Sequence, residues 1–511
     1  MADHAAGGHR PGGDPGCHRV VSFDSLDPAT GDVVATFPAY DVAAVRTVMA
    51  AARPAAAWWG GLGFAERKDR LTQWKTAITR RIAELADLMH HENGKPAADA
   101  TLEVVLAIEH IAWAARHAER VLGRRRVGAG MLMPNQACTV EYQPYGVVGV
   151  IGPWNYPVYT PMGALAYALA AGNAVVFKPS PYTPAVGRWL VERFAEVVPE
   201  QPVLSLVTGA ADTGAALCRA GVDKLAFTGS TATAKKVMAA CAETLTPVLL
   251  ECGGKDALVV DDDADVVAAA DAALWGAMGN AGQTCIGIER VYAVDAVYDE
   301  FVTVLTERAR LVRPGSDYGP MTTAEQLDVV RRHIDDALAR GGQAAVGGVD
   351  SVRAPYVDPV VLLDVPEDAD AVSEETFGPT LTVTRVRDAD EAVERVNASR
   401  YGLGAAVFGQ ARAVEIAHRI RSGMASVNSV IAFAAVPSLP FGGVGDSGFG
   451  RVHGADGLRE FARPKSVTRQ RFTLPIRLTT FRRRPAALKA TVGLVRLVHG
   501  RRAEHGATQG Q

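Results

Sequence analysis

The sequence contains little cysteine, and none of it falls in a recognisable pairing pattern. Its six cysteines lie singly along 511 residues. No two of them show CxxC spacing, and none belongs to a Cys/His cluster with the spacing of metal ligands. This scatter excludes a disulfide-stabilised secreted scaffold, predicts no metal site and favours the reducing cytoplasm.

Long apolar runs and a strong net charge are also lacking. The sequence has no run of about 20 apolar residues, so it predicts no membrane-spanning helix. The formal net charge is only -3, which gives no overall attraction to nucleic acid. Residues 1–18 are rich in Gly, His, Asp and Pro and lack the apolar core of a signal peptide. We expect residues 1–19 to form a disordered extension.

What is present is the composition of an ordinary globular protein. Hydrophobic residues make up 48% of the sequence and charged residues 21%. A single hydrophobic core stops growing at about 250–300 residues. The 511 residues therefore imply two or three domains.

Short continuous apolar runs alternate with helical patterns along most of the chain. The runs at 146–152 and 174–177 show no polar alternation, which is typical of parallel strands buried on both faces. Helical patterns separate them from further runs at 203–207 and 225–227, and the alternation resumes from 257 to 421. The pattern predicts an α/β fold, with a doubly wound parallel sheet followed by a second α/β domain. Ligands of such sheets bind at the carboxyl ends of the strands.

A glycine-rich loop leads into Cys285. The stretch 275–286 reads Trp-Gly-Ala-Met-Gly-Asn-Ala-Gly-Gln-Thr-Cys-Ile, with a glycine on either side of the Asn-Ala pair. Glycine adopts backbone conformations closed to other residues and lets the backbone approach a ligand closely. The loop alone leaves two interpretations open. Cys285 is either a nucleophile or a small buried hydrophobic residue, which is the commoner state of a free cysteine.

Polar residues follow several of the predicted strands. Glu251 is either a surface carboxylate or a base on a flexible turn, since two glycines follow shortly after it. Asn155 either turns the chain or donates its amide to a developing oxyanion. Lys178 at a strand end could hold a ribose hydroxyl or a phosphate. The Gly229-Ser230 turn before a helix could bind phosphate, although most such turns bind nothing.

Seven short motifs follow one another along the chain. They are Pro-Trp-Asn-Tyr-Pro at 153–157, Gly-Asn-Ala-Val-Val-Phe-Lys-Pro-Ser at 172–180, Phe-Thr-Gly-Ser at 227–230, Glu-Cys-Gly-Gly-Lys at 251–255, Gly-Gln-Thr-Cys at 282–285, Glu-Thr-Phe-Gly-Pro at 375–379 and Pro-Phe-Gly-Gly from Pro440. Taken in this order, they resemble the motifs of the aldehyde dehydrogenase superfamily. Each motif is weak evidence alone, but seven in register make the resemblance specific. It covers the chain from about Asp27 to Val467 and favours Cys285 as a nucleophile.

The resemblance implies an aldehyde dehydrogenase-like fold. A Rossmann-type cofactor domain would comprise 20–123 and 144–253, and a catalytic domain 254–452. A small β arm for oligomerisation would comprise 124–143 and 453–470, followed by a basic tail at 471–511. The expected assembly is a homodimer or homotetramer in the cytoplasm.

The resemblance also implies a hydrolytic reaction that oxidises an aldehyde to a carboxylic acid with NAD(P)+ and water. Cys285 would attack the aldehyde, Asn155 would donate to the oxyanion, and Glu251 would activate water against the thioester. We expect local donors and the cationic nicotinamide to lower the pKa of the Cys285 thiol. The residues expected at the cofactor are Ile151, Gly152, Pro153, Trp154, Lys178, Ser180, Gly229, Ser230, Glu375 and Phe377.

Some residues depart from the family pattern or bear on specificity. Pro181 stands where many NAD-preferring members carry a glutamate that holds the adenosine ribose, so both NAD and NADP remain open as cofactor. Ala234 replaces the second glycine of the family's phosphate turn. The late loop reads Gly-Val-Gly-Asp-Ser-Gly at 443–448 and is followed by His453-Gly454. It is similar to that of the branch that handles fatty and aromatic aldehydes, and it has Gly445 where other members carry a lysine.

The expected substrate pocket favours an apolar aldehyde. Its predicted residues are apolar or neutral: Tyr156, Thr160, Thr284 and Ile286. Two alternatives stay open, namely a succinic-semialdehyde-type dehydrogenase and a cysteine acyl hydrolase without redox chemistry.

The end of the chain is basic. Between Arg463 and Arg502 there are twelve Lys or Arg and no acidic residue. Leu488, Val492 and Val495 fall on one face of a predicted helix. Such a segment either lies on an anionic membrane surface or packs on a subunit.

Overall fold

A computed structural model of the chain describes residues 21–474 and 480–500. The extension predicted at 1–19 lies outside the described residues, as do parts of the basic tail. Within the described ranges, every helix is too short or too polar to cross a bilayer.

Helices and strands alternate through most of the described chain. The helices are α1 (Val42–Gly61), α2 (Phe64–Thr79), α3 (Ile82–Asn93), α4 (Ala97–Leu122), α5 (Tyr159–Ala171), α6 (Pro184–Val197), α7 (Ala211–Cys218), α8 (Thr231–Ala242), α9 (Val266–Met278), α10 (Asp295–Ala309), α11 (Ala324–Ala339), α12 (Asp370–Ser373), α13 (Ala389–Ala398), α14 (Ala413–Arg419), α15 (Gly454–Glu460) and α16 (Pro485–His499).

The strands are mostly short. They are β1 (Ser22–Leu26), β2 (Val33–Pro38), β3 (Arg125–Val127), β4 (Gln136–Pro144), β5 (Val147–Ile151), β6 (Ala174–Lys178), β7 (Leu204–Leu206), β8 (Lys224–Thr228), β9 (Val248–Glu251), β10 (Asp256–Val260), β11 (Ile288–Val294), β12 (Gln343–Val346), β13 (Val352–Arg353), β14 (Tyr356–Val357), β15 (Val360–Leu363), β16 (Thr380–Val386), β17 (Ala405–Phe408), β18 (Ser426–Val427), β19 (Gly448–Phe449) and β20 (Ala462–Gln470).

A six-stranded sheet in the order β19-β9-β8-β5-β6-β7 carries the first group of motifs. Strands β5 to β9 are parallel to their neighbours, and β19 is antiparallel to β9. Every residue of β5 and β6 is buried, as their unbroken apolar sequence requires. The chain winds outward from β5 to β7 and then returns to β8 on the other side of β5. Doubly wound sheets bind their ligands at this switch point, beyond the carboxyl ends of the strands.

The second large sheet has seven strands, in the order β12-β15-β16-β11-β10-β17-β18. Its strands are parallel except β12, which pairs antiparallel with β15. A continuous apolar core packs against it, built from its own strands and from helices that include α9, α10 and α11. Both sheets have the predicted α/β character, so the predicted fold class is confirmed.

The described chain divides into two compact units. One contains the described residues of 1–122 and 143–463, and the other those of 123–142 and 464–511. The first unit includes both large sheets. The second includes most of a three-stranded sheet in the order β20-β4-β3. The division of the first unit into a cofactor and a catalytic domain, and the role of the β arm, stay predictions.

Two local features differ from the sequence pattern. The apolar periodicity of residues 65–93 predicts helix throughout this stretch, but the structure has two helices, because Arg81 leaves helical geometry (φ -125°, ψ 30°) and α3 begins at Ile82. The late glycine-rich loop also contains the two-residue strand β19, which pairs Gly448 with Glu251. The apolar spacing continues across the first break and the second element is too short to show a period, so neither was visible in the sequence.

Candidate active site

The loop that presents Cys285 begins where α9 ends. Asn280 and Ala281 both have left-handed backbones, with φ of 55° and 57°. For non-glycine residues this conformation costs roughly 1–2 kcal/mol each, so surrounding contacts must hold it. Gly282 follows with φ 70°, and a Cβ there would collide with the carbonyl oxygen of Gly378. The glycine is therefore required by both its conformation and its neighbour.

Side-chain hydrogen bonds hold this loop in place. The Asn280 amide donates to the carbonyl oxygens of Asn155 (3.1 Å) and Gln283 (3.2 Å). The Gln283 amide donates to the carbonyl oxygens of Asn280 (3.1 Å) and Pro320 (3.3 Å). The Gln283 side-chain oxygen accepts from the backbone N–H of Thr322 at 2.9 Å. These bonds fix the Cys285 loop against the segment that carries Asn155.

Asn155 is buried, and both ends of the residue are held. Its amide donates to the Gln283 carbonyl oxygen at 3.0 Å. The amide has two N–H donors, so one remains for a bound oxyanion. The Asn155 carbonyl oxygen also accepts from Lys95 Nζ at 2.9 Å, and Lys95 forms a buried ion pair with Glu103.

Sequence reasoning missed the Lys95–Glu103 pair and the roles of Asn280 and Gln283. Lys95 follows the end of a predicted helix within a Gly-Lys-Pro turn, which indicates a stop signal and no chemistry. Its partners Glu103 and Asn155 lie 8 and 60 residues away. The only available signal was the coincidence of a lysine with a helix stop.

Glu251 ends β9 and is buried, with 5% of its surface exposed. Among the described residues, neither of its carboxyl oxygens has a hydrogen-bond partner. Burial raises its pKa well above the usual value, although the nearby Arg451 guanidinium opposes the rise. Gly442 leaves room beside it, because a Cβ there would lie 2.9 Å from Glu251 Oε1. An unpartnered carboxyl with a raised pKa is suited to accept a proton from a bound molecule.

The expected lowering of the Cys285 pKa is wrong for the chain itself. Burial, followed by the nearby carboxylates of Glu375, Asp256 and Glu251, raises the pKa of this thiol. The hydrogen bond from the Ile286 backbone opposes the rise only weakly. The sulfur is therefore held as a neutral thiol until a positive group or a base favours the thiolate.

Two cavities meet at these residues. One, which we call the tunnel, has a volume of about 140 Å³, and the other, the crevice, about 620 Å³. The residues that line both are Ile151, Thr228, Glu251, Cys252 and Cys285. A molecule in the tunnel and a molecule in the crevice can therefore both reach Cys285 and Glu251.

The tunnel has a largely apolar wall. All four residues predicted for the substrate pocket, Tyr156, Thr160, Thr284 and Ile286, line it. The Tyr156 hydroxyl and Thr284 Oγ1 are hydrogen-bonded at 2.9 Å, so two of the polar groups satisfy each other. Among the described lining residues there is no arginine, and the only lysine, Lys95, is paired with Glu103. The wall therefore offers no free cation to a substrate carboxylate.

The crevice contains all ten residues predicted for the cofactor, and its volume suits a dinucleotide-sized ligand. Lys178 is buried at the end of β6, and among the residues that the structure describes its Nζ donates only to the adjacent Pro179 carbonyl oxygen, at 3.2 Å. Burial lowers the pKa of Lys178 to about 8. Burial likewise raises the pKa of Glu375 to about 8, and its Oε1 accepts from the Gly254 N–H at 3.2 Å. These buried polar groups, short of partners, fit a ligand rich in hydroxyl groups.

The turn after β8 is suited to phosphate. Ser230 caps α8, and its hydroxyl accepts from the Thr233 N–H at 3.4 Å. Gly229 cannot carry a larger side chain, because a Cβ would meet the Phe227 ring at 2.7 Å. The backbone at the start of α8 is thereby open to an anion. Two aromatic residues that line the crevice, Trp154 and Phe377, have rings that meet edge to face at 5.6 Å.

Comparison with known proteins agrees with this geometry. A profile of the aldehyde dehydrogenase family matches residues 18–467. The chain is 36% identical over 464 residues to the 4,4'-diapolycopene aldehyde oxidase of a Methylomonas species. The aligned region covers 89% of this chain and 87% of that protein. It is 34% identical over 449 residues to the glutarate-semialdehyde dehydrogenase of Pseudomonas putida, covering 85% of this chain and 92% of that one.

The fold has close counterparts among solved structures. An NAD-dependent aldehyde dehydrogenase from Sinorhizobium meliloti superposes with a TM-score of 0.85 at 32% sequence identity. The superposition covers 90% of this chain and 93% of that one. Extent of match, identity and topology all agree, and the chain belongs to the aldehyde dehydrogenase family.

Proposed function

We propose that this chain oxidises an apolar aldehyde to its carboxylic acid with NAD(P)+ and water. The observation that carries the proposal is the meeting of the tunnel and the crevice at Cys285 and Glu251. The tunnel receives the aldehyde chain, and the crevice receives the dinucleotide. The carbonyl carbon then lies where both a nucleophile and a base can reach it.

Cys285 and Asn155 perform the first half of the reaction. The thiol loses its proton to water, and the thiolate sulfur bonds to the aldehyde carbon. The carbonyl oxygen becomes an oxyanion, which accepts a hydrogen bond from the free N–H of the Asn155 amide. The Gln283 and Lys95 contacts keep this amide in place. When bound, the nicotinamide supplies the acceptor for the hydride, which leaves a thioester on Cys285.

Glu251 performs the second half. Its unpaired carboxylate takes a proton from a water molecule, whose oxygen attacks the thioester carbon. The carbon–sulfur bond breaks, the acid leaves, and Cys285 recovers a proton. The balance is one aldehyde, one water and one NAD(P)+ consumed for one acid, one NAD(P)H and one proton.

The crevice residues hold the cofactor through different groups. In this proposal Lys178 and Glu375 hold ribose hydroxyls, and Gly229 and Ser230 hold the pyrophosphate. Pro181 offers no carboxylate near the adenosine ribose, and no like charge therefore opposes a 2′-phosphate there. On this ground we expect both NAD+ and NADP+ to serve.

The proposed setting is a cytoplasmic homodimer or homotetramer, with the three-stranded sheet as the oligomerising arm. The described cysteines are all free thiols, which suits a reducing compartment. Light scattering of the purified chain would test the assembly. A mass near 53.9 kDa, that of one chain, would contradict it.

An aldehyde panel with both cofactors tests the reaction and the substrate class. We expect kcat/KM to rise by about threefold to fourfold for each methylene added between hexanal and decanal, since each buried methylene contributes about 0.8 kcal/mol. Succinic semialdehyde should react poorly, because the tunnel has no free cation. The Cys285→Ala variant should produce no NAD(P)H.

Each class of result separates the alternatives. If succinic semialdehyde were the fastest substrate, the apolar assignment would fail while the oxidation stood. If no aldehyde raised the absorbance at 340 nm but thioesters were hydrolysed, the chain would be an acyl hydrolase.

A further inference from the structure

The tail helix α16 exposes its apolar side chains to solvent. Within the described tail, none of the residues Pro485–His499 is buried. Five large apolar side chains of this helix, Leu488, Val492, Leu494, Leu497 and Val498, are between 41% and 56% exposed. A soluble surface helix normally turns such residues inward.

The side chains of α16 are segregated by character. At about 100° per residue, Leu494, Leu497 and Val498 fall within one broad apolar side. Lys489 and Arg496 fall on the opposite side. Apolar residues on one face and cations on the other are typical of helices that lie in the plane of a membrane surface.

The compact unit that contains α16 is strongly basic. Residues 123–142 and 464–511 hold 14 Lys or Arg and two Glu, a net charge of +12. The rest of the chain then carries -15, since the whole chain carries -3. Arg482, Arg483 and Arg484 stand directly before α16, and all three are exposed.

We propose that α16 and the adjoining segment 481–484 form a docking surface, here called the tail surface, for an anionic lipid membrane. The apolar side of α16 enters the boundary between headgroups and acyl chains, and Arg482–Arg484 contact the lipid phosphates. Phe481, whose side chain is fully exposed, adds an aromatic group at the same depth. A helix of 15 residues is about 22 Å long, which is shorter than the roughly 30 Å hydrocarbon core, so it lies on the membrane.

Charge and shape favour a membrane over other partners. Symmetric pairing of two tail surfaces would bring Arg482–Arg484 of one copy close to the same arginines of the other, which like-charge repulsion opposes. A nucleic acid would satisfy the arginines, but its phosphate backbone would leave the apolar side of α16 uncovered. An anionic membrane satisfies both groups at once.

Membrane docking through the tail surface would help the proposed oxidation of an apolar aldehyde, but docking does not depend on that reaction. Apolar aldehydes partition into membranes, so a docked enzyme would meet them at high local concentration. Binding to vesicles is measured without substrate, and its failure would leave the proposed oxidation untouched.

The test is co-sedimentation of the full-length chain with vesicles. One set contains phosphatidylcholine alone, and the other phosphatidylcholine mixed with phosphatidylglycerol. We expect binding to the anionic vesicles only, and the bound fraction should fall as salt is raised.

Two variants separate charge from apolar contact. Arg482→Gln, Arg483→Gln and Arg484→Gln together should weaken vesicle binding on the order of a hundredfold. Leu494→Ser, Leu497→Ser and Val498→Ser together should weaken it at least about tenfold. The matched control is Leu311→Ser, which removes an exposed leucine outside the tail and should bind normally.

All of these variants should keep wild-type oxidation of a short soluble aldehyde, which shows that they fold. Absence of vesicle binding by the wild type, or equal binding by every variant, would overturn the proposal. A loss of oligomeric mass in the leucine and valine variant without vesicle binding would show that a second copy covers α16. Tighter binding to duplex DNA than to vesicles would assign the tail surface to nucleic acid.

Discussion

Cys285 and Glu251 both carry ionisable groups whose pKa is raised by burial. The opposing contributions of the Ile286 backbone at Cys285 and of Arg451 at Glu251 do not offset the rise in either pKa. Each group works only in its deprotonated form. Because both pKa values are raised, both groups need a higher pH to lose their protons. Turnover should therefore rise as the pH rises through the two pKa values.

The Glu251→Gln variant tests the two halves of the reaction separately. It should keep a stopped-flow burst of NAD(P)H, since losing the Glu251 charge removes one cause of the raised Cys285 pKa. Steady-state turnover should fall by about 10²–10⁴-fold, and its rise with pH should flatten. Glu119→Gln, an exposed carboxylate on α4, is the control. Unchanged steady-state turnover would remove Glu251 from hydrolysis.

The Pro181→Glu variant tests the cofactor assignment. A carboxylate at this position should repel a 2′-phosphate and accept hydrogen bonds from ribose hydroxyls. We expect kcat/KM for NADP+ to fall at least about tenfold while that for NAD+ holds or rises, since each tenfold step corresponds to about 1.4 kcal/mol. The matched control is Pro199→Glu, at an exposed proline outside the crevice. Equal changes with both cofactors would show that Pro181 does not face the ribose.

Which residues the sequence identified depends on where their partners lie. Cys285, Glu251 and Asn155 were identifiable because each sits in a local motif. Lys95 was not, since its meaning comes from Glu103 and from the Asn155 carbonyl oxygen. The raised pKa of Cys285 was likewise invisible, because burial and carboxylates from separate segments cause it.

At the scale of elements, a single buried carboxylate links α3 to the start of α6. Glu92 accepts from the backbone N–H groups of Ala185 (2.7 Å) and Val186 (2.8 Å) and from the Ser25 hydroxyl (2.6 Å). It therefore satisfies two of the free N–H groups that every helix start leaves. Burial nevertheless raises the pKa of Glu92 to about 7.

The Glu92→Ala variant should lower the free energy of unfolding by about 1–3 kcal/mol, because two buried N–H groups lose their acceptor. The folded pKa lies above the usual value, so the folded state holds a proton that the unfolded state has lost between about pH 4.5 and 7. The contribution of Glu92 to the free energy of unfolding is therefore largest below about pH 4.5, and it decreases as the pH rises to about 7. The deficit of the variant should be larger at about pH 5 than at about pH 8.

Guanidinium unfolding followed by circular dichroism at both pH values measures this deficit. Glu119→Ala serves as the control, because it removes an exposed carboxylate from a neighbouring helix. A deficit that is equal at both pH values would contradict the role given to the Glu92 proton.

Elements were predictable where burial imposes a pattern on the sequence. Strands β5 and β6 are buried on every residue, and their apolar runs located them within a residue or two. The break between α2 and α3 leaves no trace, because both helices keep their apolar faces in register. β19 has two residues and owes its position to pairing with β9, so no local period could show it.

At the scale of the whole molecule, cofactor binding should stabilise the folded chain. A ligand that binds only the folded state adds about 2.7 kcal/mol at a hundred times its Kd. We expect NAD+ to raise the melting temperature, and Lys178→Ala to abolish most of the rise. Lys236→Ala, at an exposed lysine of α8, should keep it.

A differential scan with each dinucleotide measures this effect without any turnover. If Lys178→Ala responded like the wild type, Lys178 would have no place in the cofactor site. The crevice itself would then need another occupant.

The separation of charge between the two compact units bears on how the molecule behaves as a whole. The isoelectric point near 6.5 is that of the whole chain. The compact unit that contains α16 is strongly basic and the rest of the chain is acidic, so neither alone would have this isoelectric point. Each part therefore keeps a charge of its own sign although the net charge of the chain is small. The protein should be retained by both cation and anion exchangers at neutral pH, and ionic strength rather than pH should govern its release.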